Sequence, residues 1–183
     1  MSQAAMPPRM DRDAFIAWAI TQDVRYELDH GEVLAMTPEL LDHVRAKQRT
    51  FTALDHAIQK GGLACEVIGD GFGVVVDDDC LYQPGALVVC SERLPGHVRV
   101  TSSPSIIVEV TSPSNSRVDT QVKLVEYAKL PSLAHYLIVH LQQRVVIHYQ
   151  RAANGQFAVA ILGHVPLVLD PPGLTIQAEE LLG

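Results

Sequence analysis

The apolar residues of this chain recur with two periods, and the change from one to the other predicts a mixed α and β structure. Between Glu39 and Lys60 they are spaced by three and four positions, as on one face of a helix, and Gly61-Gly62 follows as the stop. The same reasoning predicts shorter helices from Asp11 to Ile20 and from Arg117 to Leu130.

Residues that favour helix ends stand at both short segments. Asp11 or Asp13 is expected to cap the first helix, and one of residues 114–116, Ser-Asn-Ser, the second. Pro131 ends the second helix, because a proline disfavours helical geometry in the residue before it.

Short apolar runs rich in β-branched residues predict the strands. The stretch from Arg25 to Met36 predicts a hairpin that turns at residues 29–31, Asp-His-Gly. The other predicted strands are Ala64 to Ile68, Phe72 to Val76, Ala86 to Cys90, Ile106 to Val110, Tyr136 to Val139, Val145 to Tyr149 and Phe157 to Leu162. A helix separates the fourth and fifth of these, and both are apolar throughout apart from one residue, which indicates a parallel crossover.

The composition is typical of one globular domain. The chain has 183 residues, 48% of them hydrophobic and 19% charged, which suffices for a core and excludes a disordered chain. We expect a flexible tail over residues 1–10 and a single domain over residues 11–183. The net charge of −7 argues against a general basic surface for nucleic acid, although it leaves room for a local basic cleft.

Neither a targeting segment nor a cysteine framework is evident. The N-terminal sequence lacks the apolar core of a signal peptide, and no run approaches the roughly 20 apolar residues of a membrane span. The cysteines, Cys65, Cys80 and Cys90, are odd in number and form no CxxC pair. We therefore expect small buried thiols without a disulfide, a cytoplasmic location and no membrane partner.

Glu109 interrupts the run of β-branched residues from Ile106 to Val110. A carboxylate in a covered strand costs several kcal/mol unless it faces a cleft, pairs with a cation or binds a metal. Glu109 stands near the C-terminal end of its strand, where crevices open in such sheets, and Mg²⁺ takes one or two carboxylates from a protein. A structural ion pair with a neighbouring helix explains the same residue equally well.

Lys123 is the best local partner for Glu109. It follows Asp119 by one helical turn and precedes Tyr127 by one turn. Either it forms a solvated pair with Asp119, or it lies beside Glu109 as a cation that stabilises charge on a phosphate. Its position in the sequence does not decide between the two.

Two further polar residues have plain structural explanations. Glu27 alternates with Tyr26 and Leu28 in the hairpin, so we expect its side chain on the opposite face and exposed. His43 stands early on the long helix, as an ordinary surface or hydrogen-bonded residue. The other histidines show no HxxH or HExxH spacing, which argues against a zinc site.

Five segments follow one another in a specific order: RYELDHGEVLAM, LLDHVRAK, LYQPGALVVC, PSIIVEVTSPSNSRVDTQVKLVEYAKLPSLAHYLIV and LDPPGLTIQAEELL. Together they resemble the Uma-type family of restriction endonucleases, a branch of the PD-(D/E)XK nuclease superfamily. The resemblance spans Asp13 to Leu182. It implies an α/β fold of the mixed α+β kind, with a restriction-endonuclease-like central mixed sheet flanked by helices and additional strands and hairpins.

The resemblance also implies a site. The family draws on a glutamate of the RYEL hairpin, the aspartate of a PD pair, the glutamate of an EVxSPS strand and a lysine on the next helix. On this chain these positions are Glu27, Gly85, Glu109 and Lys123. The resemblance makes Glu109, Lys123 and Glu27 catalytic, with Glu109 and Glu27 as ligands of Mg²⁺ or Mn²⁺.

Accessory positions follow from the same resemblance. Tyr127 and His43 match family positions that are often polar, and Thr111 stands where related nucleases carry a lysine. His140 departs from the family, whose members carry an aspartate after that strand.

Gly85 is the more serious departure, because the family's aspartate shares the metal with the strand glutamate. Its loss should weaken metal binding and lower the rate of hydrolysis. Glu27, or one of Asp77 to Asp79 through a register shift, could supply the missing oxygen. Alternatively the site is degenerate, or the glycine is an engineered change. We expect impaired or lost activity.

We therefore expect a metal-dependent endonuclease-like protein that acts on nucleic acid, first of all DNA, with an incomplete site and weakly bound Mg²⁺ or Mn²⁺. One alternative is a catalytically degenerate nuclease fold that binds nucleic acid or protein. Another is a structural domain in which Glu109 only pairs with Lys123. A homodimer is expected by analogy with nucleases that cut both strands of a duplex.

Overall fold

The computed structural model describes residues 7–90, 93–111 and 117–183, and for residues 117–121 it describes the backbone alone. The helices of this part of the chain are α1 (Arg12–Ala19), α2 (Leu41–Gly61), α3 (Arg117–Tyr127) and α4 (Ala178–Leu182). The first three confirm the predicted helices, with ends that differ by three residues or fewer.

Helix ends follow local chemistry. The Asp11 carboxylate accepts a hydrogen bond from the Ala14 amide at 2.8 Å and caps α1, as predicted. Gly62 ends α2 in the left-handed region, at φ 61°, which favours glycine. The cap predicted for α3, at residues 114–116, lies outside the described residues.

The strands lie in three groups between these helices along the chain. They are β1 (Tyr26–Asp29), β2 (Glu32–Ala35), β3 (Glu66–Gly69), β4 (Gly73–Val75), β5 (Leu81–Tyr82), β6 (Ala86–Val89), β7 (Val100–Thr101), β8 (Ile106–Thr111), β9 (His135–His140), β10 (Val145–Arg151), β11 (Phe157–Leu162), β12 (Pro166–Leu169) and β13 (Leu174–Gln177).

A mixed six-stranded sheet forms the centre, in the order β11-β10-β9-β8-β6-β3. Strands β8 and β9 pair in parallel, as predicted for a crossover through α3, and the remaining pairs are antiparallel. A five-stranded sheet, β2-β1-β5-β4-β7, carries the predicted hairpin, and β12 and β13 form a separate ribbon. The fold class predicted from the sequence is confirmed.

Both faces of β8 are covered, which explains its apolar run. Ile106, Val108 and Val110 pack with residues of α2 in one core cluster. Ile107, on the other face, packs in a second cluster with Tyr127 of α3. Since side chains alternate along a strand, Glu109 belongs to the face of Ile107, toward α3.

The cysteine prediction is wrong for two residues. Cys65 and Cys90 form a disulfide, while Cys80 is a free, buried thiol. The pairing of Glu66 with Val89 places the two cysteines at facing positions just beyond the strand ends. Sequence spacing could not reveal this neighbourhood, since it depends on the register of β3 against β6.

The N-terminal segment makes contacts within its described part. The Met10 amide donates to the Gly31 carbonyl at 3.0 Å, and Arg9 pairs with Glu32 at 2.7 Å. These residues therefore lie against the hairpin turn, while the predicted boundary at residue 11 stays a prediction. No described helix has the length and apolar character that crossing a bilayer requires.

Candidate active site

Three elements bring Glu27, Glu109 and Lys123 together. Lys123 Nζ on α3 lies 2.9 Å from both carboxylate oxygens of Glu27 on β1. The same nitrogen lies 3.7 Å from Oε1 of Glu109 on β8. One ammonium group therefore bridges two carboxylates that are 82 positions apart in the sequence, as the numbers 27 and 109 show.

Lys123 and Glu27 are buried and Glu109 is partly buried, with exposed side-chain fractions of 10%, 10% and 13% respectively. The prediction of an exposed Glu27 is wrong. Alternation in the hairpin indicates only that Glu27 and Leu28 face opposite ways, and here both faces of β1 are covered. Charges shielded from water in this way interact strongly and cost much to separate.

Neighbouring groups hold the two carboxylates in place. The backbone amide of Gln83 donates to Oε1 of Glu27 at 2.8 Å, and the Tyr127 hydroxyl donates to Oε1 of Glu109 at 3.2 Å. Burial, and then the charge of Glu109, raise the pKa of Tyr127 well above its usual value, so its hydroxyl stays a donor. Lys123 Nζ also lies 5.4 Å from the centroid of the Tyr82 ring.

Gly85 lies beside Glu109 in the register of the central sheet. Ala86 pairs with Val108, and continuing this antiparallel register by one residue sets Gly85 opposite Glu109. A Cβ atom on Gly85 would meet Lys47 Cγ at 3.2 Å, Lys47 Cε at 3.3 Å and the Val108 carbonyl oxygen at 3.3 Å. The stem of Lys47 thus fills the space next to the missing side chain.

Asp70 continues the row of facing positions that runs from Glu109 to Gly85 across the ends of the strands. Gly69 pairs with Ala86, so the same continuation sets Asp70 beside Gly85. The Asp70 carboxylate lies 3.0 Å from Arg25 Nη1 and 3.3 Å from Lys47 Nζ. Burial by itself would raise the pKa of Asp70, but the hydrogen bonds and charges of Arg25 and Lys47 outweigh it and lower that pKa.

Lys47 also pairs with Glu39, so its charge is shared between two carboxylates. A cleft of about 580 Å³ opens at this edge, lined among others by Lys47, Phe51, Asp70 and Gly85. The position opposite Glu109 therefore borders an open space.

The accessory residues are placed as follows. His43 on α2 is buried, contrary to a surface position, and its Nε2 has no hydrogen-bond partner among the described residues. Burial lowers the pKa of His43. Thr111 ends β8 on the face of Glu109, and its buried Oγ1 also lacks a partner in the described part of the chain. His140 pairs with Thr111 across the parallel strands, so the second family departure borders the same strand end.

The register-shift alternative for Asp77 to Asp79 is wrong. The pairing of β6 with β8 sets Gly85, not these residues, opposite Glu109. Asp77 instead pairs with Lys129 at 3.1 Å and Asp78 with Arg12 at 3.4 Å, while the Asp79 carboxylate accepts from the Cys80 thiol.

The donor set fits a hard divalent cation in kind. Magnesium prefers oxygen ligands and commonly takes one or two carboxylates, which Glu27 and Glu109 provide. Lys123 already holds a positive charge between them. Buried oxygen atoms without partners in the described region, Thr111 Oγ1 and Gln83 Oε1, belong to residues next to these carboxylates.

Sequence reasoning missed Gln83, Tyr82 and Asp70 as neighbours of the site. Tyr82 and Gln83 directly precede the Pro84-Gly85 pair, so proximity to that motif was a usable signal. Asp70 gave no such signal, because its place beside Gly85 depends on the register of β3 against β6.

Comparison with known proteins identifies the family of this chain. Residues 12–179 match the model of the Uma2 family, described as "Putative restriction endonuclease". This chain belongs to the Uma2 family. The predicted family is thereby confirmed.

Two known proteins are similar to this Uma2 protein. The uncharacterized protein slr1290 of Synechocystis sp. is 24% identical over 159 residues, which are 86% of this chain and 83% of that protein. A crystal structure from Anabaena variabilis, titled a putative nuclease belonging to DUF820, matches with a TM-score of 0.73 at 12% identity. The match covers 88% of this chain and 91% of that one, and at this identity it shows the shared fold.

Proposed function

We propose that this Uma2 protein hydrolyses phosphodiester bonds of nucleic acid, DNA in the first instance, at a site formed by Glu109, Glu27 and Lys123. The observation that carries the proposal is the buried ammonium of Lys123, which lies between the carboxylates of Glu27 on β1 and Glu109 on β8. Family membership supports the reaction class.

Each residue has a role that follows from its position. Glu109 and Glu27 would hold Mg²⁺ or Mn²⁺, and the ion when bound would activate a water and offset negative charge on the phosphate. In the reaction the water oxygen bonds to phosphorus, the bond from phosphorus to the leaving oxygen breaks, and that oxygen takes up a proton. Lys123 would stabilise charge that develops on a phosphate oxygen, and Tyr127 would position Glu109 through its hydrogen bond.

Gly85 lowers the expected activity. The row across the sheet edge has Glu109 on β8 but no carboxylate at Gly85, and the stem of Lys47 lies against the vacant position. We therefore infer weak metal binding and slow hydrolysis. The same observation favours a second candidate function, a nuclease fold that binds nucleic acid without cutting it.

Metal binding and cleavage together test the proposal. Mn²⁺ and Mg²⁺ are titrated by calorimetry into the wild type, Glu109→Gln and the matched surface variant Glu32→Gln, whose side chain is 60% exposed. We expect weak binding that Glu109→Gln abolishes and Glu32→Gln preserves. Single- and double-stranded DNA are then assayed for cleavage with the same variants.

Gly85→Asp, with the isosteric but uncharged Gly85→Asn as its control, addresses the lowered activity. Gly85→Asp should raise metal affinity by at least about tenfold, or 1.4 kcal/mol, and increase cleavage. If the wild type and Gly85→Asp both neither bind metal nor cut DNA, the proposal is wrong. If Gly85→Asp alone cuts, the binding module is the better description of the natural chain.

A further inference from the structure

A second polar cluster surrounds Cys80, in residues that the proposed nuclease site does not use. Cys80 is fully buried, and it precedes β5. Its sulfur accepts a hydrogen bond from the His30 amide at 3.4 Å and lies 3.7 Å from His30 Nδ1. The hairpin turn between β1 and β2 thus brings an imidazole to a buried thiol.

Carboxylates close around the same sulfur atom. Two sets of three residues each place one potential ligand atom per residue within 4.8 Å of the others. The first set is Asp29, His30 and Cys80, and the second is Asp77, Cys80 and Glu126. Glu126 is 4% exposed, and its Oε1 lies 3.6 Å from His30 Nε2. Two sets of potential ligands therefore share Cys80.

The charge of the cluster is out of balance. Asp29, Asp77, Asp79 and Glu126 bring four carboxylates to the neighbourhood of Cys80. Lys129 pairs with two of them, Asp77 at 3.1 Å and Glu126 more closely. Negative charge beyond that of one ammonium remains beside a buried thiol, an arrangement that favours a multivalent cation.

From this arrangement we propose a transition-metal site of the zinc class at Asp29, His30 and Cys80, completed by Glu126 or Asp77. The combination of thiol, imidazole and carboxylate is the ligand chemistry of Zn²⁺ and not of Mg²⁺ or Ca²⁺. The site is separate from Glu27 and Glu109, whose hard oxygen ligands fit a different ion. The proposal does not depend on the nuclease function.

The spacing of the ligand atoms agrees with a tetrahedral centre. With bond lengths of about 2.3 Å to sulfur and 2.0 Å to nitrogen, two ligands of a tetrahedral zinc lie roughly 3.5 Å apart. The distance from Cys80 Sγ to His30 Nδ1 is 3.7 Å. The Tyr82 hydroxyl donates to Asp29 Oδ1 at 2.6 Å, the kind of outer contact that orients a carboxylate ligand.

The ammonium of Lys129 would compete with a metal ion for the carboxylates of Asp77 and Glu126. Its side chain is 46% exposed, so its ammonium can turn to solvent when an ion binds. The sequence concealed the site because its ligands come from a hairpin turn, the loop before β5 and α3, with no short motif among them.

Cobalt reports on the proposed site directly. Co²⁺ is titrated into the full chain with its disulfide intact, which a thiol count verifies. Coordination by a thiolate gives a near-ultraviolet charge-transfer band that carboxylate sites lack. Cys65 and Cys90 are bonded to each other and Cys80 is a free thiol, so the band reports on Cys80 alone.

We expect the band to appear with one equivalent of Co²⁺ and to vanish when Zn²⁺ is added. Cys80→Ser should abolish it. His30→Ala changes a half-exposed turn residue outside the hydrophobic core clusters. It should weaken Co²⁺ affinity by at least about tenfold, the scale on which even outer-shell partners act. His56→Ala, on the exposed face of α2, is the matched control and should change nothing.

Two results would overturn the proposal. One is the absence of the charge-transfer band at saturating Co²⁺ although Cys80 is shown to be reduced. The other is a band whose titration is the same in His30→Ala and in the wild type. Neither result bears on cleavage of DNA, so the two proposals can fail independently.

Discussion

Replacing Lys123 by methionine should destabilise the protein strongly, because it removes a cation that two buried carboxylates share. At an effective dielectric constant of about 20, the pair of Lys123 and Glu27 at 2.9 Å attracts by about 6 kcal/mol before desolvation is subtracted. Removing one partner of a buried pair typically costs about 3–5 kcal/mol, since the other charge stays buried and unpaired. Glu109, at 3.7 Å from the same nitrogen, adds to the cost.

Urea denaturation at pH 7 measures this loss. Lys123→Met keeps most of the aliphatic stem and removes the ammonium, which lies 5.4 Å from the centroid of the Tyr82 ring. Lys60→Met on the exposed end of α2 is the control. We expect a loss of about 3–5 kcal/mol for Lys123→Met and less than about 0.5 kcal/mol for Lys60→Met.

Removing the repulsion between Glu27 and Glu109 should recover much of the stability that Lys123→Met loses. The double variant Lys123→Met/Glu27→Gln removes one of the two carboxylates, and it should regain at least half of the loss. Mn²⁺ should likewise stabilise Lys123→Met more than the wild type, because an ion can replace the missing ammonium. A loss below about 1 kcal/mol in Lys123→Met would show that the carboxylates do not depend on this cation, and the description of the site would be wrong.

Three further predictions concern single contacts. Tyr127→Phe removes the hydroxyl that donates to Glu109 and should cost about 1.5–3 kcal/mol in urea denaturation; an unchanged midpoint would contradict the hydrogen bond. Burial lowers the pKa of His148 from 6.5 to about 4, so between these pH values the unfolded chain binds a proton that the folded chain does not. The contribution of His148 to the free energy of unfolding should therefore be complete above pH 6.5 and be lost as the pH falls toward 4, by at most about 3 kcal/mol. The decrease should be smaller in His148→Gln. Reducing the Cys65–Cys90 disulfide, which spans 25 residues, should lower the free energy of unfolding by about 3.5 kcal/mol, and a Cys65→Ala/Cys90→Ala variant should be insensitive to reductant.

Periodicity sufficed for the central sheet and its helices. The run from Ile106 to Val110 predicted a covered strand, and α2 and α3 followed from spacing and stop residues. These features are local, since each depends on residues within one element. The disulfide and the place of Asp70 depend on strand register, which no local pattern specifies.

The candidate site was predictable to a similar extent. The cost of a buried carboxylate singled out Glu109, and resemblance to a family added Glu27 and Lys123. What the sequence could not indicate was that Lys123 lies nearer to Glu27 than to Glu109, or that Glu27 is buried. Those facts come from the packing of the five-stranded sheet and α3 against the central one, a contact between residues distant in sequence.

Gly85 makes sense as a balance between stability and metal affinity. Two carboxylates and one ammonium leave the buried site with a formal charge of −1, and an aspartate at position 85 would make it −2. Without a metal, the additional charge would be repelled by Glu109, and the nearby Lys47 could offset it only by loosening its pairs with Glu39 and Asp70. With a divalent cation the same charge would be attractive. Gly85→Asp should therefore lower the free energy of unfolding in the presence of a chelator and raise it in Mn²⁺, whereas Gly85→Asn should respond little to either condition.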